Sequence, residues 1–261
     1  MSKSSSSRPT KIRAGAAPVD GSSAKGTVDS HHRNVILARL EPKERQLVVP
    51  ELEFVRLKLH QVLHEVGEGI KSLYLINDGL ASVPSVQSDG KSVEVGLIGF
   101  EGYAGAPVVF GFKTSAHRVV TQCDGAAFRL DATVLKRLLR QCPNFAIEMQ
   151  RYAFILGAQS TQLAACNRLH EVEERLARWL LMSHDRIGDR TMPLTQELLG
   201  QMLGTRRSTV SMAASMLQKA GVITYTRGNV TILDRAKLEE VSCECYAMIR
   251  EQSRTWVTEA D

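Results

Sequence analysis

The sequence predicts an α+β chain in three parts: an N-terminal antiparallel β-roll, a long helix, and a C-terminal pair of short helices closed by a hairpin. Three observations predict it. Short apolar runs with period two, separated by glycine turns, fill residues 57–130. A stretch without proline after Pro143, and with Gly157 as its one glycine, follows over 144–170. Residues 194–233 then read as helix, glycine, helix, strand, turn and strand.

At 261 residues there is room for two small domains, and 43% hydrophobic with 23% charged residues is a globular composition. A net charge of +5 suits a nucleic-acid partner, but many basic proteins bind none. No segment reaches the apolar length of a membrane span, so no membrane partner is expected. No apolar core follows the basic N-terminal residues, so no secretory signal is expected. The five cysteines, Cys123, Cys142, Cys166, Cys243 and Cys245, form no disulfide framework. Their odd number fits a reducing cytoplasm.

Residues 1–33 are rich in serine, glycine, alanine and basic residues and bury too little to offset ordering entropy. A disordered, solvated tail is expected there. Residues 34–59 suggest two short helices, the second opened by Glu41-Pro42, since proline is tolerated in a first turn. Strands are expected at 57–59, 61–63, 73–76, 81–86, 93–95 and 126–130. Gly67-Glu68-Gly69, Asn77-Asp78-Gly79, Asp89-Gly90 and Asp124-Gly125 supply turns. Many short strands at regular spacing indicate an antiparallel barrel or roll.

The 144–170 stretch is long enough for a helix of about 40 Å. Phe145, Met149, Tyr152, Leu156, Gln159, Leu163 and Cys166 follow four-three spacing, a coiled-coil seam with Gln159 as its polar position. That spacing suits a dimer interface, or a helix packed on the core of its own domain. A further helix over 171–185 turns Val172, Leu176, Trp179 and Leu180 inward.

Thr195 is placed to cap the next helix, with Glu197 in the first turn and Leu199, Met202 and Leu203 on one face. Gly204 sits where a helix must stop. Thr205 is expected to cap the second helix, whose inward stripe is Val210, Ala214 and Leu217. Its start carries Arg206, Arg207, Ser208 and Thr209, and its outward face adds Ser211, Met212 and Ser215. Arginine donates two hydrogen bonds to a guanine edge, and short hydroxyls reach phosphates or bases. A solvated helical hairpin would share this pattern. The hairpin that follows at once, around Arg227-Gly228-Asn229, favours a winged helix-turn-helix that binds double-stranded DNA.

The run through Thr195, Gly200, Gly204, Arg207, Thr209, Val210 and Leu217 is similar to the DNA-binding domain of the Crp/Fnr family of bacterial transcription regulators. Val66-Gly67-Glu68, and Tyr74-Leu75-Ile76 through Gly79, resemble the early motif of that family's cyclic-nucleotide-binding β-roll. The resemblance spans roughly residues 34–233. It implies a sensor-type roll over 34–142, a dimerisation helix over 143–170, a winged helix over 171–250 and a C-terminal tail over 251–261. It also implies a homodimer on a near-palindromic operator, with RNA polymerase as a partner. By the same resemblance Arg207 reads guanine, Arg206 and Thr209 contact phosphates with Ser208 and Ser211 between them, and Arg227 touches backbone from the wing. Met212 and Ser208 depart from residues that family members use to read bases, so the usual half-site is not carried over.

A cyclic-nucleotide pocket needs a glutamate for the ribose and an arginine for the phosphate. Those positions hold Ala106 and Ser115, and Arg118 falls on the opposite strand face. Cyclic AMP is therefore not expected, and the small-molecule effector is left open. No cofactor or metal is expected. His60 and His64 lie in strand-like sequence and should diverge, and nothing marks His64 or His117 as a haem ligand. Cys243 and Cys245 are expected on one helix, facing different ways. Iron–sulfur members of the family ligate through N-terminal cysteines, whereas the first cysteine here is Cys123. Gly96, Gly99, Gly102 and Gly105 form no phosphate loop. With no nucleophile and base in sight, an enzyme is not expected. The competing reading is a ligand-binding module acting through protein contacts with a vestigial DNA face, and salt-sensitive DNA binding separates the two.

Overall fold

The computed structural model describes residues 33–189 and 191–258. Apart from Arg33, the tail expected over 1–33 lies outside the described residues. Two short helices lead in, α1 (Val35–Ala38) and α2 (Pro42–Val48). Asn34, fully buried, starts α1 by accepting the Leu37 N–H, and its amide donates to the carbonyls of Ile76 and Gly102 at 2.8 and 2.9 Å. One side chain thus satisfies three backbone groups and pins the entry helix to the roll.

The roll consists of β1 (Glu53–Leu57), β2 (Val62–His64), β3 (Ser72–Asp78), β4 (Ala81–Val86), β5 (Ser92–Ile98), β6 (Tyr103–Ala104), β7 (Val119–Thr121) and β8 (Gly125–Asp131). They form two antiparallel sheets in the orders β1-β8-β3-β6 and β2-β7-β4-β5. The first strand ends at Leu57 rather than occupying 57–59. Residues 59 and 60 form a turn, with His60 at φ 60°. Leu73 and Leu75 of β3 pair with Leu130 and Phe128 of β8, and all four are buried in the roll core, as the period-two pattern predicts.

Next come α3 (Ala132–Gln141) and the long α4 (Pro143–Leu169). The first turn of α4 is capped from a distance, because the buried Glu44 carboxylate accepts the N–H groups of Asn144 and Phe145 at 2.9 and 2.8 Å. An anion at the positive helix end is favourable.

The seam expected between two chains is filled by this chain itself. Phe145, Met149, Tyr152, Gln159, Leu163 and Cys166 are each at most 3% exposed, and Leu156 is half-buried. The Tyr152 ring lies against Gly102, where a Cβ would fall 1.8 Å from it. Tyr103 donates its hydroxyl to the Met149 carbonyl at 2.9 Å. Gln159 accepts from the Leu97 N–H and donates to the Leu97 carbonyl, serving one residue of β5 as a neighbouring strand would. Four-three spacing marks which face is covered; it does not say which chain covers it.

The C-terminal part comprises α5 (Val172–Ile187), β9 (Thr191–Pro193), α6 (Gln196–Leu203), α7 (Arg207–Lys219), β10 (Ile223–Thr226), β11 (Asn229–Ile232), α8 (Arg235–Val241) and α9 (Cys245–Thr258). The small sheet has the order β10-β11-β9, and its third strand was not expected. Neither was α9, which replaces the tail expected over 251–261 as far as Thr258. It folds back along α4 and buries Trp256 in the roll core, 5.8 Å from the Tyr152 ring and 5.0 Å from the Arg39 guanidinium. A second core joins Leu80 and Leu97 of the roll to Leu176, Trp179, Leu199, Val210 and Leu217. Packing therefore bridges the boundary expected at 170–171. Among the described residues no helix is long and apolar enough to cross a membrane.

Candidate nucleic-acid interface

Thr195 caps α6 as expected, its hydroxyl oxygen accepting the Leu198 N–H at 3.1 Å. Leu199, Met202 and Leu203 are buried. The chain turns at Gly204, whose φ of 60° is left-handed and favours glycine. Gly200 meets the far side of the turn, where a Cβ would lie 3.1 Å from the Thr205 carbonyl oxygen. A side chain at position 200 would require the Thr205 backbone to give by a few tenths of an ångström.

The cap of α7 is Arg206, with no side-chain cap bond, and not Thr205. The Thr205 N–H closes α6 by donating to the Gly200 carbonyl at 2.9 Å, so the extended residue before the helix comes one position later. The first-turn N–H groups of α7 are thereby left without a side-chain acceptor, which suits an anion such as a phosphate.

Val210, Ala214 and Leu217 point inward with Ala213, while Arg206, Arg207, Ser208 and Met212 are exposed. Thr209 and Ser211 are half-buried, and the Ser211 hydroxyl accepts from the Gln196 amide at 3.4 Å. Met216, which sequence reasoning did not single out, extends the exposed face beyond Met212. At the wing tip Arg227 and Gly228 have φ of 51° and 80°, the pattern of a two-residue hairpin turn that presents Arg227 outward. Tyr225 fixes the wing by donating its hydroxyl to the Leu194 carbonyl and its N–H to the Gln218 side chain, at 2.7 and 2.9 Å.

The start of α7 opens on a cleft of about 810 Å³ shared with the roll, lined by Asp89, Lys91, Gln201, Arg206, Arg207 and Thr209. Ser92 reaches the Gln201 carbonyl at 3.4 Å, and Val93 stands against Gly204. The hairpin between β4 and β5 is thus in direct contact with the helix-turn-helix.

Inside the roll, the two positions aligned with nucleotide anchors carry no charge. Ala106 opens a short 3-10 turn, and the buried Ser115 donates its hydroxyl to the His117 carbonyl at 2.6 Å. Arg118 faces outward and pairs with Glu65 at 3.6 Å. His60 lies in its turn, whereas His64 is buried with Nε2 unpartnered, and burial lowers its pKa.

Two clusters escaped sequence reasoning. Glu94 on β5 is buried; it accepts from the Trp179 indole at 2.9 Å and the Ser82 hydroxyl at 2.5 Å. Burial outweighs both donors and pushes its pKa to about 7. The available signal was a carboxylate in a strand otherwise rich in apolar residues. The second cluster corrects the expectation for Cys243 and Cys245. They do not diverge on one helix: Cys243 lies in the bend before α9 and Cys245 opens α9. Their sulfurs converge with Cys166 of α4 and with His170, the residue that caps α4, all donor atoms lying within 4.8 Å of one another.

Residues 174–241 match the model of the Crp-like helix-turn-helix domain. The C-terminal domain is a Crp-like helix-turn-helix domain. Solved structures with the same fold include a member of the crp/fnr family from Eubacterium rectale, at 16% identity and TM-score 0.63, covering 80% of this chain and 98% of that one. The c-di-GMP-responsive global regulator CLP of Xanthomonas campestris matches at 14% identity and TM-score 0.62, over 74% and 99%. A CRP-family transcriptional regulator from Thermus thermophilus matches at 22% identity and TM-score 0.57, over 72% and 96%. A comparison with curated proteins gives no match. At these identities the likeness shows the fold alone.

Proposed function

We propose that this chain is a sequence-specific DNA-binding transcription regulator of the Crp/Fnr type, acting as a homodimer on a near-palindromic operator. The observation that carries the proposal is the start of α7. Within a Crp-like helix-turn-helix, exposed Arg206, Arg207 and Ser208 surround a helix end that lacks its own cap. In this reading Arg207 pairs with a guanine edge in the major groove, while Arg206 and Thr209 hold phosphates. Met212 offers its exposed apolar side chain to a thymine methyl. Arg227 meets the backbone from the wing. Thr195 and Ser211 act at one remove, by holding α6 and its contact with α7.

The dimer surface is the outward face of α4 rather than the buried one. Ile147, Arg151, Phe154, Ala158, Thr161, Ala165 and Arg168 repeat the four-three spacing on that face. Phe154 is 76% exposed and Ile147 46% exposed, so a second copy would cover apolar surface that one chain leaves in water. A two-fold pair of α4 helices presents two α7 helices to half-sites roughly 34–36 Å apart. The uncharged Ala106 and Ser115 argue against cyclic AMP as the effector, and contact with RNA polymerase follows from the family resemblance.

Selection of bound duplexes from a randomised pool tests this reading. Enrichment of two inverted half-sites one turn apart, with affinity falling steeply as salt rises, is the expected result. Recovery of no consensus would overturn it and favour the protein-contact module.

A further inference from the structure

Cys166 lies in the last turn of α4, and His170 is the extended residue that caps it, its N–H donating to the Cys166 carbonyl at 3.2 Å. Cys243 and Cys245 reach this end of α4 from the corner between α8 and α9. The Sγ atoms of Cys166 and Cys243 are 3.5 Å apart, and Cys245 Sγ is 3.6 Å from His170 Nδ1. A tetrahedral zinc with Zn–S of about 2.3 Å and Zn–N of about 2.0–2.1 Å requires S···S edges of about 3.8 Å and S···N edges of about 3.5 Å. Two of the six edges are therefore already close to these lengths, and no two of the four donors lie more than 4.8 Å apart.

The surroundings point the same way. His170 presents Nδ1 to the sulfurs and places Nε2 3.1 Å from the Glu244 carboxylate. A carboxylate behind a ligating imidazole fixes the tautomer and raises the basicity of the ligand. Gln162 donates its amide to Cys245 Sγ at 3.1 Å, a bond suited to a thiolate. Arg178, 2% exposed and with Nε unpartnered, lies within electrostatic reach of Cys166. Buried positive charge of this kind balances thiolates.

We infer that Cys166, His170, Cys243 and Cys245 form a Cys₃His site for a tetrahedral zinc ion that clamps the start of α9 to the end of α4. Binding releases three thiol protons and leaves a site of net charge −1 with neutral His170. From this anchor α9 runs antiparallel to α4 until Trp256 meets Tyr152. The ion thus ties the C-terminal domain to the helix that carries the roll, fixing their relative placement. The site stands apart from the DNA-binding reading, because its test needs no DNA.

The test is metal analysis of the full chain purified under reducing conditions, with cobalt substitution and X-ray absorption as spectroscopic readouts. One zinc per chain is expected, with three sulfurs at about 2.3 Å and one nitrogen at about 2.0 Å. The cobalt form should show the strong visible absorption of a tetrahedral thiolate site. Cys243→Ser and His170→Gln should lose the metal, while Cys123→Ser, outside the cluster, keeps it. Should Cys243→Ser fail to fold, Glu244→Gln is the second variant. It touches only the outer face of His170 and should retain the ion with roughly 10–100-fold weaker affinity. A chain that folds without metal and takes up no cobalt would overturn the inference. So would a Cys166–Cys243 disulfide in the purified protein, or a cobalt spectrum unchanged by Cys243→Ser or by His170→Gln.

Discussion

Glu94 makes stability depend on pH in a direction opposite to that of most carboxylates. It sits on β5 of the roll, and its partner Trp179 sits on α5 of the C-terminal domain. Burial raises the pKa from 4.5 to about 7 even though Ser82 and Trp179 both donate to the carboxyl group. The folded state therefore holds a proton that the unfolded state has released between those values. The contribution is fully present below pH 4.5 and is lost as pH rises through about 7. At ~1.4 kcal/mol per tenfold, the whole change is about 3 kcal/mol, and about 2 kcal/mol of it falls between roughly pH 5.5 and 8.5. Glu94→Gln removes the titration while keeping the shape. Its amide oxygen accepts from Trp179, and its amide nitrogen donates to the Ser82 oxygen. Urea unfolding followed by tryptophan fluorescence, at several pH values, is the assay. The stability difference between variant and wild type should move by about 2 kcal/mol in favour of glutamine across that range. Parallel pH profiles would refute the reasoning and mean that Glu94 is ionised in the fold.

Phe154→Glu should convert the dimer to a monomer in sedimentation and weaken operator binding. It removes an apolar contribution of roughly 1.5–3 kcal/mol per chain and sets like charges face to face. Trp256→Ala should destabilise by about 3–5 kcal/mol, and hydrogen exchange should show the fastest loss of protection in α9. Calorimetry with cyclic AMP should show no saturable binding, since the positions of Ala106 and Ser115 supply neither anchor. Micromolar binding would mean that the anchors lie elsewhere.

The roll and the helix-turn-helix were legible because each is written in local pattern. Alternation and Asp-Gly turns mark β3, β4, β5 and β8, and Gly204 with its apolar neighbours marks the turn between α6 and α7. What failed was whatever depends on contacts distant in sequence. Both faces of α4 carry four-three spacing, so the repeat alone could not reveal that Tyr152 and Gln159 face the roll while Phe154 faces solvent. The length of α9 was missed because a partner for Trp256 exists only once Tyr152 and Arg39 are in place. Cys166 and Cys243 are 77 positions apart, and no local spacing announces their meeting. At the interface itself the register was read one residue early, since backbone closure of α6 by Thr205 decides where α7 starts.

The most direct test of the DNA-binding account compares Arg207→Ala with Arg206→Ala in competition binding over a randomised operator. Arg207→Ala should cost ~1–3 kcal/mol per half-site and abolish the preference at one base pair. Arg206→Ala should weaken all sequences alike and reduce the salt slope by about one. If Arg207→Ala keeps the wild-type base preference at every position, the assignment of α7 as the reading helix with Arg207 on guanine is contradicted.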